Sequence, residues 1–359
     1  MTFLTGMLPD ELRAWLRSAQ EPAFRAKQIL EWLYRHRVLA PAEMSNLGKG
    51  LREKLWREFA LGSLDLVQAQ GSADTTRKFL FRLHDGRYIE TVLIPASPAL
   101  YGERSDRRTL CVSSQVGCAY GCRFCASGLA GFTRNLDAGE IVEQVLAAEK
   151  ESGHRVDNLV FMGMGEPLAN LSQLTKALHI LNADWGVNLG ARHMTVSTSG
   201  LAPQIKKLAT VPLQIRLAIS LHGANDAVRD QIMPINRRYP IEVLFNALHH
   251  WREHKKQRLT FEYILIDQVN DSLEQAALLA KRARALQAKI NLIPYNTVEG
   301  LPWVRPSEAR QNAFRDLVAE SGVAVTLRRE KGHDIDAACG QLRLKQETEQ
   351  GTLPTVKNL

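Results

Sequence analysis

Residues 118–125 read Cys118-Ala-Tyr-Gly-Cys122-Arg-Phe-Cys125, a C-x3-C-x2-C pattern. Three thiols share one short loop. A structural zinc site closes with four ligands, usually as two separated pairs. A four-iron cluster has four corners, commonly all held by cysteine. Three local thiols leave one position to something else, and the other cysteines of the chain are Cys111 and Cys339. An odd count with three crowded together favours metal binding or thiol chemistry over a disulfide framework.

The texture around this loop decides the fold class. From residue 109 strand-like and helix-like stretches alternate: RTLCVSS, DNLVFMG, HMTVSTS, LQIRLAISLH, LTFEYILI and KINLIPY, with helical patterns such as DAGEIVEQVLAAEKE and LEQAALLAKRARALQ between them. Strands that alternate with helices build a parallel sheet. Six βα units are too few for a closed eight-stranded barrel, so the expected fold is α/β with a partial, six-unit barrel; a doubly wound sheet is the alternative. VAVTLRR is a candidate extra strand.

The first 95 residues differ. Three helical patterns, LPDELRAWLRSA, AFRAKQILEWLYRHR and LGKGLREKLWREFA, precede three alternating stretches, SLDLVQAQ, TRKFLFRL and RYIETVLIP. The expected organisation is an α+β accessory domain over 1–95, a catalytic barrel over 96–340 and a flexible tail over 341–359. An Arg-rich loop, SPALYGERSDRR, joins the first two.

The early Asp-Glu pair in MTFLTGMLPDELRAWLRSAQ argues against a signal peptide, and no run reaches the ~18 apolar residues of a membrane span. A cytoplasmic protein without a membrane partner is expected. Lys and Arg total 46 against 38 acidic residues, a net charge of +8 that is compatible with a polyanionic partner.

In barrels of parallel strands, chemistry gathers at the C-terminal strand ends. The three cysteines follow the first strand. Gly163-Met164-Gly165-Glu166-Pro167 follows the second, Ser197-Thr198-Ser199 ends the third, Ser220 and His222 end the fourth, and Asn296 follows the sixth. Taken singly, each has an ordinary structural explanation. The glycines would let backbone approach a ligand, and Glu166 could accept from an ammonium group. Their convergence at one rim carries the functional reading.

C-x3-C-x2-C with Phe124 before the last cysteine, after the first strand of such a barrel, resembles the radical S-adenosylmethionine superfamily. SSQVGC, FMGMGEPLAN, STSG, SLHGANDAVRDQIMPINRRYP and DIDAACGQL, with the N-terminal RAKQILEWLYRH and MSNLGKGLREKL, resemble the RlmN and Cfr family of RNA adenosine methyltransferases, closer to its RlmN branch. The likeness runs from about residue 20 to about residue 345.

The resemblance implies a [4Fe-4S] cluster on Cys118, Cys122 and Cys125, with the fourth iron open to S-adenosyl-L-methionine, which serves as methyl donor and radical source. It implies cofactor contacts from Gly165, Glu166, Ser197, Ser220, Leu221 (backbone only), His222 and Asn296. Cys339 corresponds to a cysteine that carries the methyl group, Cys111 to its transient disulfide partner, and Glu90 in YIETVLIP to the proton acceptor. The implied substrate is an adenosine of 23S ribosomal RNA, methylated at C2, with a tRNA adenosine beside the anticodon as a second target. Methylation at C8 of the same base, or a different radical reaction, is the alternative. A reductant of flavodoxin type and a monomer are expected. The Arg-rich loop before Thr109 departs from the family pattern; it would either disturb the approach to Glu90 or contact phosphate.

Overall fold

A computed structural model describes residues 2–72, 75–96, 107–129, 131–296, 298, 301–328 and 341–349. Its strands are β1 (Thr2–Phe3), β2 (Phe59–Ala60), β3 (Asp65–Gly71), β4 (Arg77–Arg82), β5 (Tyr88–Pro95), β6 (Arg108–Cys111), β7 (Gln115–Gly117), β8 (Phe132–Asn135), β9 (Asn158–Phe161), β10 (Met194–Thr198), β11 (Arg216–Ser220), β12 (Thr260–Leu265), β13 (Lys289–Pro294) and β14 (Val325–Leu327). Ten of them form one sheet in the order β14-β13-β12-β11-β10-β9-β6-β5-β4-β3.

The stretch from β6 through β9 to β13 is the expected six-stranded parallel array. VAVTLRR supplies a seventh parallel strand, β14, beside β13. The sheet continues through the three strands read as N-terminal: β5 pairs antiparallel with β6, β4 with β5, and β3 with β4. The alternating pattern marks these segments as strands, but the long-range pairing with β6 is a tertiary event.

Helices between the parallel strands carry their own start and stop signals. Asp137 caps Ala138–Ser152, accepting from Gly139 N, while Glu140 reaches back to the Asp137 N–H; Gly153 ends the helix in the left-handed region at φ 73°. Ser272 caps Leu273–Leu286 and Ser307 caps Glu308–Glu320. The helices bury one face of the sheet: Leu110, Leu159, Phe161, Val196, Leu217, Ile219, Phe261, Tyr263, Ile290 and Leu292 lie in the main core. Alternation then puts Thr109, Cys111, Thr195, Ser197, Arg216, Ser220, Glu262, Lys289 and Asn291 on the opposite, inner face. The registers agree, aligning Cys111 with Val160, Ser197 with Ala218, Ser220 with Glu262, and Glu262 with Asn291.

The N-terminal helices are Pro9–Ser18, Arg25–Tyr34 and Lys49–Glu58, and the segment before them, residues 2–6, docks on the helix Ala138–Ser152. Thr5 Oγ1 donates to Glu143 Oε1 at 3.0 Å and Ser63 Oγ to Glu143 Oε2 at 2.7 Å. A Cβ on Gly139 would lie 2.3 Å from Phe3 Cβ, so this contact needs glycine. At the other end, a flexible tail from residue 341 is not what forms. Gln341–Glu349 is a helix with Leu342, Arg343, Leu344 and Glu347 buried, and Leu342 packs with Leu80 and Tyr88 on the inner face of β4 and β5. Its apolar turn finds a partner only once those strands are paired. Residues 350–359, Cys339 and loop residues 97–106 lie outside the described residues.

Candidate functional site

The loop after β6 is built for a tight return. Gly117 sits at φ 74°, and a Cβ there would lie 1.8 Å from the Gly131 carbonyl oxygen. That same oxygen accepts from Cys118 N at 2.9 Å. The β7–β8 hairpin thus pins the first cysteine by its backbone. Cys125 N donates to Cys122 O at 3.0 Å, closing the turn that carries the other two thiols.

The three thiols lie close enough to perturb one another. Burial pushes the Cys118 thiol up to about 12, with the charges of Cys125 and Glu166 adding to the effect. Burial also raises Cys122, helped by Cys125, Cys118 and Glu166 and opposed by Arg229. Half-buried thiolates that repel each other call for a cation between them. Soft sulfur donors and three of four corners suit an iron–sulfur cluster with one open iron. A cavity of about 410 Å³ opens beside them, lined in part by Cys122, Gly128, Leu301 and Trp303.

The neighbouring strand ends converge on this loop. Glu166 is buried, and burial raises its pKa. Its Oε2 accepts from Ser199 N at 2.7 Å and its Oε1 from Leu168 N at 3.1 Å, so both oxygens are aimed. Gly165 adopts φ 96°, where a Cβ would lie 2.5 Å from Gln115 Cβ; a Cβ on Gly163 would lie 2.7 Å from Val112 backbone. The close approach these glycines permit is to residues 112–115 of the chain itself. Glu166 N donates to Gln115 Oε1 at 2.8 Å, and Gln115 Nε2 to Asn135 Oδ1.

Ser197 and Ser220 bring their hydroxyl oxygens to 3.4 Å across β10 and β11. His222 stands at φ 55° with its ring 4.9 Å edge-on from Phe124. Its Nδ1 accepts from Ile264 N at 3.0 Å, which leaves the proton on Nε2. Burial, reinforced by Arg229, holds its pKa down at about 3, so the ring is neutral. Asn296 Oδ1 accepts from Arg305 Nη2 at 2.6 Å, and Arg305 Nε donates to Tyr295 O. Leu221, expected to contribute backbone only, has that backbone already bonded within the chain. Its N–H donates to Glu262 O, and its carbonyl accepts from both Gly223 N and Arg229 Nε, so its polar atoms are engaged.

Arg229 is the residue that sequence reasoning missed. Its side chain is fully buried, and burial lowers its pKa to about 10. Its guanidinium donates to the carbonyls of Ser199, Ser220 and Leu221 and to Asn236 Oδ1. One fork ties together the ends of β10 and β11. The available signal was its place in SLHGANDAVRDQIMPINRRYP, since an arginine in a short helix otherwise reads as solvated.

Glu90 and Cys111 occupy the other end of the inner face. Glu90 is buried on β5, with Oε2 2.7 Å from Lys78 Nζ, itself fully buried. Its Oε1 accepts from Arg343 N at 2.7 Å. Ser113 links this region to the rim: its Oγ donates to the Glu90 carbonyl and accepts from Met164 N. Cys111 is buried one strand away, in register with Val92.

A three-cysteine loop at the C-terminal rim of a partial barrel, ringed by a buried carboxylate, two hydroxyls and an amide, defines a radical S-adenosylmethionine protein. The model of that superfamily matches residues 112–280, and a ribosomal RNA large subunit methyltransferase N-terminal domain matches residues 2–61. The chain belongs to the RlmN family within it. It is 53% identical over 98% of both chains to a protein of Akkermansia muciniphila named probable dual-specificity RNA methyltransferase RlmN. It is 54% identical to a protein named probable dual-specificity RNA methyltransferase RlmN 3 of Opitutus terrae, over 99% of this chain and 97% of that one. The crystal structure of a radical SAM methyltransferase from Sphaerobacter thermophilus superposes with a TM-score of 0.89 at 44% identity, covering 95% of this chain and 99% of that one. Among the described residues no helix is long and apolar enough to cross a membrane.

Proposed function

We propose that the protein methylates C2 of an adenosine in 23S ribosomal RNA, with an anticodon-adjacent tRNA adenosine as a second target. The observation that carries this reading is the hydrogen bond from Arg343 N to Glu90 Oε1. It seats the helix Gln341–Glu349 on β5, and the chain enters that helix two residues after Cys339. This supports a methyl-bearing Cys339 acting near Glu90 and Cys111, on the same sheet face as Ser197 and Ser220. The dual-specificity names of the relatives support two RNA targets, and the N-terminal domain named for large-subunit ribosomal RNA methylation supports the ribosomal one.

When bound, the [4Fe-4S] cluster with S-adenosyl-L-methionine supplies the one-electron chemistry that activates the methyl group. The chain's residues do the rest. Cys118, Cys122 and Cys125 hold the cluster. Glu166 and Asn296 orient the charged end of the cofactor, with Gly165, Ser197, Ser220 and His222 completing its surroundings. The Cys339 thiolate accepts a methyl group by displacement and presents it to the base. Glu90 takes the proton from the ring carbon. Cys111 attacks the Cys339 sulfur, and the disulfide that forms releases the RNA. The protein works in the cytoplasm as a monomer, reduced by a flavodoxin-type donor.

The test is nucleoside mass spectrometry of unmodified ribosomal RNA after incubation with anaerobically reconstituted protein, reductant and S-adenosyl-L-methionine. Expected is 2-methyladenosine with the wild type and none with Cys339→Ala. A product that is mainly 8-methyladenosine overturns the C2 assignment, and methylation by Cys339→Ala overturns the cysteine carrier.

A further inference from the structure

The inner face carries a second feature that the reaction does not use. Glu262 is buried on β12, bonded by Asn291 Nδ2 at 3.0 Å. Arg328 and Lys289 both act on it electrostatically, and Lys289 in turn feels Arg216 and Arg258. All four cations are exposed, and among the described residues none of them makes an ion pair. Strand register explains the grouping. Lys289 pairs with Thr260, and Thr260 with Ala218, which puts Arg258 and Arg216 two residues below that row on adjacent strands. Arg328 stands two residues above the row that joins Glu262, Asn291 and Thr326. From strand spacing and rise, the four form a diagonal strip roughly 25 Å long across β11 to β14. Arg328 and Lys289 share the single charge of Glu262, while Arg216 and Arg258 crowd Lys289, so the cations repel each other unless an anion joins them.

We infer that Arg216, Arg258, Lys289 and Arg328 form a phosphate-binding strip that holds the sugar–phosphate backbone of the substrate RNA along the open inner face of the barrel. This rests on the RNA-modifying reading above and adds where the strand lies. Backbone contacts of this kind set register and orientation without reading sequence. Arg216, Arg258 and Lys289 stand at or just before the N-terminal starts of β11, β12 and β13, and Arg328 follows the C-terminal end of β14, so the strip runs from the edge opposite the cofactor-binding rim up toward it. Lysine and arginine differ here: Lys289 acts as a point charge, whereas the arginines can fork onto phosphate oxygens.

The experiment measures binding of unmodified ribosomal RNA, transcribed in vitro, to the reconstituted protein over a range of salt. Each phosphate contact contributes about 0.7–0.9 to the slope of log K against log salt. Arg258→Gln/Lys289→Gln should therefore lower the slope by about 1.4–1.8. Release of deoxyadenosine without RNA and the thermal midpoint should stay at wild-type levels. Glu262→Gln, which removes the carboxylate that Arg328 and Lys289 act on, should tighten binding. An unchanged slope in the double variant overturns the strip, as does weaker binding by Glu262→Gln with an unchanged thermal midpoint. Formation of 2-methyladenosine with an unaltered slope would sink the strip alone. An altered slope with no methylated adenosine from the wild type would sink the functional reading alone.

Discussion

Gly117→Ala perturbs one backbone position that the cysteine loop depends on. At φ 74° an alanine pays about 1–2 kcal/mol for the left-handed region. Its Cβ would lie 1.8 Å from the Gly131 carbonyl oxygen, so that carbonyl must move by more than an ångström. It then releases Cys118 N, a bond worth about 1 kcal/mol. Together these shift the loop away from its native position by about 2–3 kcal/mol, a factor of roughly 30–150 in the local equilibrium. The assay is iron and sulfide per chain after anaerobic reconstitution, with the thermal midpoint of the apoprotein measured beside it. At about 0.75 kcal/mol per kelvin for a chain of 359 residues, the midpoint should fall by only about 3–4 °C if the whole cost is global. Iron should fall far more, since all three ligands follow within eight positions. A variant with wild-type iron content would refute the claim that this turn presets the cluster loop.

Arg229→Met should separate the ends of β10 and β11, because carbonyls of Ser199 and Ser220 lose a buried donor; a loss of about 2–4 kcal/mol in denaturant melts is expected, and an unchanged midpoint would rule out the clamp. Glu90→Gln removes the carboxylate opposite a fully buried Lys78 and should cost about 3–5 kcal/mol as well as turnover. Lys78→Met/Glu90→Gln should recover most of the stability and none of the methylation, and a double variant that methylates would free Glu90 from any chemical role. His222 has its folded pKa depressed to about 3 while the unfolded ring titrates near 6.5, so the unfolded state binds the extra proton between those values. Its contribution is fully present above pH 6.5 and is lost as pH falls, by about 2 kcal/mol at pH 5. Denaturant melts of the apoprotein at pH 7 and pH 5 should show this loss in the wild type but not in His222→Asn; equal losses would exclude it.

Much of the site is legible in the chain because its residues are local. Cys118, Cys122 and Cys125 share one loop, and the spacing of three thiols is itself a chemical statement. Glu166, Ser197, Ser220 and Asn296 could be placed at one rim because parallel strands share a direction, so residues just past each strand end up on the same side. Arg229 was not legible: a helix leaves a charged side chain free to reach solvent, and only burial between strand ends makes it a clamp. Lys78 and Glu90 likewise read as ordinary strand charges until β4 and β5 pair and the helix Gln341–Glu349 covers them.

The sequence by itself determined the order of elements, the partial barrel and the thiol loop, because hydrophobic periodicity and ligand spacing are short-range properties. Tertiary structure alone decided that β3 to β5 extend the barrel sheet through β6, and that the chain end folds back onto β5. It also decided that four distant cations share one inner face. Those outcomes depend on strand register and long-range closure, and a one-residue slip in register would send each of these side chains to the opposite face.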